Sequence, residues 1–547
     1  MTDTTLQRID AKLAEFERDP VSFMNAKPQK MDSDGNPILA PSLFDQAAIE
    51  AMAYIDARDE QRSAFLHVND PSRAPIASND RPENLVDQVR YTSLQAIANA
   101  KLTQASLKES PWSDDYWPIY KGVLGWRYAD PNFPESADWE ENRQYTIRNS
   151  AASILSSGNT NAIDLLSPAE KYDALVGDTT FSLTQYMWRT GRSYYEQSGK
   201  VESWMGICHG WAPAAFMLAR PQHTITVKAP NGLNINFYPS DIKALASLLW
   251  ANATGTTRFI GGRCHDKDPS NDPNTGRITA PTCFDTNPGT WHLAVTNQLG
   301  AAQRSLVLDV TYDYEVWNQP CLGYEYRYFN PQTNKSTSVL AEALVKVGEF
   351  TKDKFKKYRS SQATHIVGVA MTVSYMVETK PIQRETDNSS FDAIQSVEYL
   401  YDLELDSKGN IIGGEWYQNA HPDFLWTAPA NSRAVSTFDR QATGEWDTDQ
   451  VIPATWRAAA KASAQSQGAP LAVIVEHLIR FANASISPAP APTPTPTPSP
   501  VNNPRPTPVT PPTPAPNPNP RPNPTPRPSS NSNYSWFSHF MTRLFGR

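Results

Sequence analysis

Residues 204–217 read Trp204-Met205-Gly206-Ile207-Cys208-His209-Gly210-Trp211-Ala212-Pro213-Ala214-Ala215-Phe216-Met217. A glycine-containing turn leads to a cysteine, and the cysteine opens a small, apolar, helix-compatible run. A thiol placed there meets the positive end of a helix and its unpaired N–H groups, which lower its pKa. The glycines let a substrate backbone come close. The backbone N–H of Cys208 then faces a developing oxyanion, and Trp204 is the candidate for a second donor. Cysteine is also among the most buried residue types, so the reading rests on partners elsewhere in the chain.

Downstream lies Gly289-Thr290-Trp291-His292-Leu293-Ala294-Val295-Thr296-Asn297-Gln298-Leu299-Gly300, which reads as a strand with a histidine near its start. Ser305-Leu306-Val307-Leu308-Asp309-Val310-Thr311-Tyr312 follows, a β-branched run with one acid inside it. The order is nucleophile on a helix, base on a strand, acid on the next strand. It predicts a triad of Cys208, His292 and Asp309. His292 takes the thiol proton, and Asp309 fixes the imidazole tautomer and stabilises its cation. The competing reading of the same residues is a buried thiol, a half-exposed histidine and an aspartate at a strand bulge.

Val316-Trp317-Asn318-Gln319-Pro320 adds a family signature. With it the chain resembles the transglutaminase elicitor family, whose elicitor peptide has this core. Here the motif continues Cys321-Leu322-Gly323-Tyr324-Glu325, without the basic residue expected soon after the proline. That departure puts elicitor activity in doubt even with an intact enzyme. Supporting blocks are Pro111–Pro118, Ser167–Tyr172, Gly413-Gly414-Glu415-Trp416 and His421-Pro422-Asp423-Phe424. The resemblance spans roughly residues 110–430. It implies a papain-like fold, a Cys–His–Asp triad, calcium dependence, and crosslinking of protein glutamine to lysine or other amines. The triad it implies is again Cys208, His292 and Asp309, with Asp313 a weaker acid and His421 with Asp423 a second pair. A papain-like peptidase or glutamine deamidase uses the same triad with water as acceptor. A non-enzymatic recognition protein, working through the Val316–Pro320 surface and the C-terminal tail, is the third reading.

Composition sets bounds. The chain has 547 residues and a formal net charge of −8. Residues 486–547 carry five Arg and no Lys, Asp or Glu, so the remainder carries −13. An acidic body argues against general nucleic-acid binding, which needs clustered Lys and Arg. No apolar run reaches the ~18–20 residues of a membrane-spanning helix. Met1–Leu6 has neither a basic nor an apolar signal region, so no classical signal peptide is expected there. An exposed thiolate is hazardous in a cytosol. Delivery outside the cell by another route is therefore expected, or masking by the N-terminal region, with a cytoplasmic location left open. Of four cysteines, Cys264 and Cys283 bracket a polar loop and are candidates to pair in an oxidising compartment.

The expected class is α+β: a papain-like catalytic domain with a helical N-terminal region and a disordered Pro-rich tail. The expected domains are an accessory region at 1–110, mostly helical, and the catalytic region at 111–485. A Pro-rich linker at 486–530 and a short amphipathic helix at 531–547 follow. Helices are predicted at Thr5–Arg18, Asp45–Ala57, Pro168–Val176 with Ser167 as N-cap, and Asp241–Asn252 capped by Ser240. Strands are predicted at 306–310, 366–376, 399–405 and 411–412. From Pro488 to Pro528, 20 of 41 residues are proline, the composition of a polyproline II spacer. Beyond it, Trp536, Phe537, Phe540, Met541, Leu544 and Phe545 form one helical stripe. A stripe this short binds a membrane or partner only weakly. His265–Gly276 is rich in oxygen ligands, and Asp266, Asp268 and Asp272 are its calcium candidates. Trp204, Trp211 and Trp291 read as core packing or as walls that keep water from a thioester.

Overall fold

His365–Val377 is apolar or β-branched at nearly every position. Such a run is predicted to be a strand covered on both faces. In the computed structural model it is one, and the molecule is organised around it. The structure describes residues 3–38, 79–253, 255–262, 269–283, 285–310 and 317–484.

In chain order the strands begin with β1 (Lys30–Met31), β2 (Gln104–Ser106), β3 (Ile225–Lys228), β4 (Asn234–Phe237), β5 (Arg258–Gly261) and β6 (Val307–Asp309). They continue with β7 (Asn318–Asn330), β8 (Lys335–Thr337), β9 (Val345–Lys346) and β10 (His365–Val377). The last three are β11 (Ala393–Leu405), β12 (Ile411–Trp416) and β13 (Phe424–Thr427). β3 and β4 form a hairpin of their own. The other eleven make one sheet in the order β1-β11-β10-β7-β6-β13-β5, with β12 beside β11, β2 and β8 beside β7, and β9 beside β10. The architecture is α+β around a large antiparallel sheet.

Side chains alternate across a strand, so β10 divides the molecule into two cores. Val367, Val369, Met371, Val373 and Tyr375 enter the larger core, shared with the central helices. Ala370 belongs with Leu400 and Phe329 to a second core, closed by Ile9, Leu13 and Phe16 of the helix Asp3–Arg18. Arg8 and Lys12 of that helix pair with Glu398 of β11 at 2.8 and 3.0 Å. The N-terminal region therefore does more than add helices. β1 pairs with β11 and β2 with β7, so residues ahead of 110 contribute strands to the large sheet.

Helices cover the other face. Ser167 caps Pro168–Val176 in a reciprocal box with Glu170, as its sequence predicts. The next predicted helix starts earlier, at Pro239. Asp241, not Ser240, caps it by accepting the Tyr238 N–H at 3.0 Å, while the Ser240 hydroxyl donates to the Ile382 carbonyl at 2.9 Å. A carboxylate is the stronger acceptor at the positive end of a helix. The same carboxylate accepts Lys171 Nζ at 2.6 Å and Tyr128 O–H at 3.0 Å, joining the two helices through a fully buried ion pair.

The predicted helix at 45–57, the Pro-rich linker and the terminal helix lie outside the described residues. No described helix is long and apolar enough to cross a membrane. Cys283 is disulfide-bonded, Cys208 and Cys321 are thiols, and Cys264, the expected partner of Cys283, lies outside the described residues.

Candidate active site around Cys208

Cys208 begins the helix Cys208–Met217, as expected. The glycines beside it serve a different end from the one predicted. A Cβ on Gly206 would meet the Tyr116 carbonyl oxygen at 2.4 Å, and one on Gly210 the Ser247 carbonyl oxygen at 2.2 Å. They let the protein's own segments close on the nucleophile. Ile207 N–H donates to the Tyr116 carbonyl at 2.7 Å, so the turn before Cys208 is strapped to residues 112–117. Trp211 and Trp112 lock the far end, the first donating Nε1–H to the Trp112 carbonyl at 3.0 Å and the second to the Leu218 carbonyl at 3.3 Å.

The start of β7 meets the thiol. Asn318 Nδ2 donates to Cys208 Sγ at 3.6 Å. Its amide is oriented by Trp426 of β13, whose Nε1–H donates to Asn318 Oδ1 at 2.7 Å. Asp309 lies opposite Asn318 in the β6–β7 register, and its Oδ1 accepts the Trp317 N–H at 3.1 Å. Trp317 packs on Tyr116 with ring centroids 5.3 Å apart. Gln319 is 2% exposed and donates Nε2–H to Glu378 Oε1 at 2.7 Å. Glu378 follows the last residue of β10, and the next residue, Thr379, donates its N–H to the Asp114 carbonyl at 3.0 Å.

This site does not lower the thiol pKa as the helix terminus alone predicts. Burial pushes Cys208 up to about 11, and the negative charges of Glu378 and Asp309 add to it, while N–H donation from the Asn318 backbone and side chain opposes. Burial likewise raises Glu378 to about 7, Asp115 to about 7 and Asp114 to about 8. The resting site is a protonated thiol among carboxyls that titrate near neutrality. Asn318 is its main support for a thiolate. A charge-assisted hydrogen bond contributes about 1.5–3 kcal/mol. Asn318→Ala is therefore expected to slow alkylation of Cys208 by iodoacetamide roughly tenfold or more at pH 8, by raising the thiol pKa further. An unchanged rate–pH profile would show that Asn318 does not hold the thiolate.

His292 is where the sequence reading departs furthest from the structure. Pro288–Val295 is a helix, continued by a wider turn over Thr296–Ala301, and not a strand. The start signals are Asn287, whose side chain accepts the Gly289 N–H at 2.9 Å, and Pro288 at the first helical position. His292 is 0% exposed. Its Nδ1 is 2.9 Å from Tyr401 O–H, its ring lies 4.9 Å from that of Tyr326, and Nε2 has no hydrogen-bond partner. Neither ring nitrogen bonds to Cys208 or Asp309. Burial pushes the imidazole down to about 3, so it stays neutral. The structure brings Cys208 and Asp309 to one site and leaves His292 in the core.

Trp204 directs its indole N–H to Glu202 Oε2 at 2.6 Å. Trp211 and Trp291 are fully buried and pack the core. His421 is stacked on Trp416 at 4.6 Å, and the Asp423 carbonyl accepts from Gly262 and Thr286. Asp313, Asp266 and Asp268 lie outside the described residues. Asp272, the one calcium candidate among the described residues, is held by its neighbours. Lys357 Nζ at 2.8 Å and Tyr358 O–H at 2.9 Å hold its Oδ2, and the Asn274 N–H holds Oδ1. No group of three or more His, Cys, Asp or Glu among the described residues is placed to hold a metal ion.

Asn318, Gln319, Glu378 and Tyr116 were not foreseen as site residues. Asn318 and Gln319 lie inside the family signature, and Tyr116 inside the Pro111–Pro118 block, so their chemistry was signalled only as motif. Glu378 follows a strand end in Val377-Glu378-Thr379-Lys380 and carries no local signal.

Among protein-family models, the transglutaminase elicitor model matches residues 86–440. Among solved structures, the chain is similar to the GP42 transglutaminase from Phytophthora sojae, at 22% identity and a TM-score of 0.46. That match covers 72% of this chain and 93% of the other. No curated protein matches.

Proposed function

The chain belongs to the transglutaminase elicitor family, and on that premise we propose that it transfers the acyl group of protein glutamine to amines through a thioester on Cys208. The observation that carries the reading is the Cys208–Asn318 pair, a thiol on a helix start met by a fixed amide donor from the signature strand. Sγ attacks the γ-carboxamide carbon, a C–S bond forms, the C–N bond breaks, and the thiol proton leaves on ammonia. The amide N–H groups of Asn318 stabilise the charge on sulfur as the proton departs. A lysine amine then opens the thioester and leaves an isopeptide bond.

Asp309 and Glu378 set the negative field around the sulfur, and His292 in its tyrosine pocket serves the core. The disulfide at Cys283 supports a life in an oxidising compartment, since such bonds persist there and not in a reducing cytosol. A recognition role for the described part of the Val316–Pro320 block, Trp317–Pro320, is disfavoured, because Trp317, Asn318 and Gln319 are at most 5% exposed.

The reading is tested by incorporation of dansylcadaverine into a glutamine-rich protein, with and without calcium. Covalent fluorescence with ammonia release supports it. Cleavage of the protein, or glutamate formation without amine incorporation, favours a hydrolase.

A further inference from the structure

Gln319 and Glu378 form a hydrogen-bonded pair that leaves one buried acceptor unused. The side chain of Gln319 is 2% exposed and points its nitrogen at Glu378 Oε1, 2.7 Å away. Its own oxygen, Oε1, is buried and has no hydrogen-bond partner. A buried amide oxygen without a donor is costly, so it marks a place where a donor binds. Beside it stands the carboxylate of Glu378, half-buried and close enough to Cys208 and Tyr116 to act on their titration. Gln319 is the residue after Asn318, which holds the sulfur.

We infer that Glu378 and Gln319 form the subsite for the acyl-acceptor amine, a primary ammonium such as the lysine side chain. An ammonium carries three N–H donors and no acceptor, which complements a carboxylate next to an unpartnered amide oxygen. This rests on the transglutaminase reading of Cys208 and extends it to the second substrate. An ammonium has no lone pair and cannot attack. Glu378 takes one proton from it, giving a neutral amine and a carboxylic acid. The amine nitrogen attacks the thioester carbon, the C–N bond forms, and the C–S bond breaks. The sulfur departs as thiolate and takes the second amine proton, regenerating the thiol. A carboxyl raised to about 7 is a base matched to neutral pH, better than an ordinary glutamate. The subsite also supplies what a crosslinking enzyme needs over a hydrolase, a reason for an amine to outcompete water.

Glu378→Gln tests this. The readout is the ratio of amine product to free glutamate from one glutamine peptide, with cadaverine and with hydroxylamine as acceptors. Cadaverine arrives as an ammonium, whereas hydroxylamine is neutral at pH 7.5 and needs no deprotonation. The expected result is a fall of about 10–100-fold in the cadaverine ratio, carried by a higher KM for cadaverine, with a much smaller fall for hydroxylamine. Glu378→Asp, which keeps the charge, is expected to recover part of the cadaverine ratio. Equal loss with both acceptors, or no change in either ratio, would overturn the subsite. Wild-type protein that releases ammonia but never favours cadaverine over water would overturn it as well. Wild-type protein with no Cys208-dependent turnover would overturn the transglutaminase reading itself, and the subsite with it.

Discussion

Cys208→Ala is expected to lower amine incorporation by at least about 10³-fold, to the background of the assay. In the proposed mechanism Sγ carries the acyl group, so its removal leaves that mechanism no covalent pathway. It is also small. Cys208 packs between the 112–117 segment and β7, and replacing one sulfur by hydrogen leaves the helix start, the Ile207–Tyr116 strap and the Gly210–Ser247 contact in place. The loss in stability is expected to be about 1 kcal/mol, so a matching thermal transition would accompany the lost activity. Cys208→Ser keeps a partner for Asn318 yet is expected to be nearly as inactive, because a buried hydroxyl is a far weaker nucleophile than a thiol. Cys321 is the internal control. It is fully buried, and burial holds its thiol well above the ordinary range. Iodoacetamide is expected to label Cys208 first, with Cys321 protected until the protein unfolds. Amine incorporation that survives in Cys208→Ala would remove Cys208 from the mechanism.

Lys171→Met is expected to destabilise the protein by about 3–5 kcal/mol, read as a lower denaturation midpoint with little change in slope. Lys171 and Asp241 are both 0% exposed and 2.6 Å apart. Asp241 also accepts the Tyr128 O–H and the Tyr238 N–H, and the ammonium lies 5.0 Å from the centre of the Tyr238 ring. Removing the lysine strands a carboxylate in the core at the head of helix Pro239–Asn252. That helix presents Ser247 and Ala251 to Gly210, so the damage reaches the platform under Cys208. The double variant Lys171→Met with Asp241→Asn is expected to recover part of the loss, since the uncompensated charge is then gone. A single variant as stable as wild type would mean that Asp241 finds another partner or takes up a proton without penalty.

What could be read from the residues divides along physical lines. Local signals held where local energy decides. Ser167-Pro168 with Glu170 starts a helix because cap, proline and acid act within one turn. His365–Val377 is a strand because β-branched residues fill a two-sided sheet. Cys208 at a helix start was legible for the same reason. The helix at His292 was not, although Asn287-Pro288 is an ordinary helix start. The expected order of a triad outweighed that signal, and the apolar run Leu293–Val295 suits either element. Gly206 and Gly210 suggest room for a substrate, but a glycine announces only a close approach, not what approaches. Glu378 was invisible because it reaches Cys208 through strand pairing between β7 and β10, a long-range fact that no spacing encodes.

The most direct test of the account is the intact mass of the protein after brief mixing with a glutamine peptide and no amine. The account predicts a transient adduct equal to the peptide less one ammonia. It should be discharged by hydroxylamine, mapped to Cys208, and absent in Cys208→Ala. An adduct on another residue, or ammonia released with no adduct on Cys208 at any time resolved by rapid quench, would contradict it.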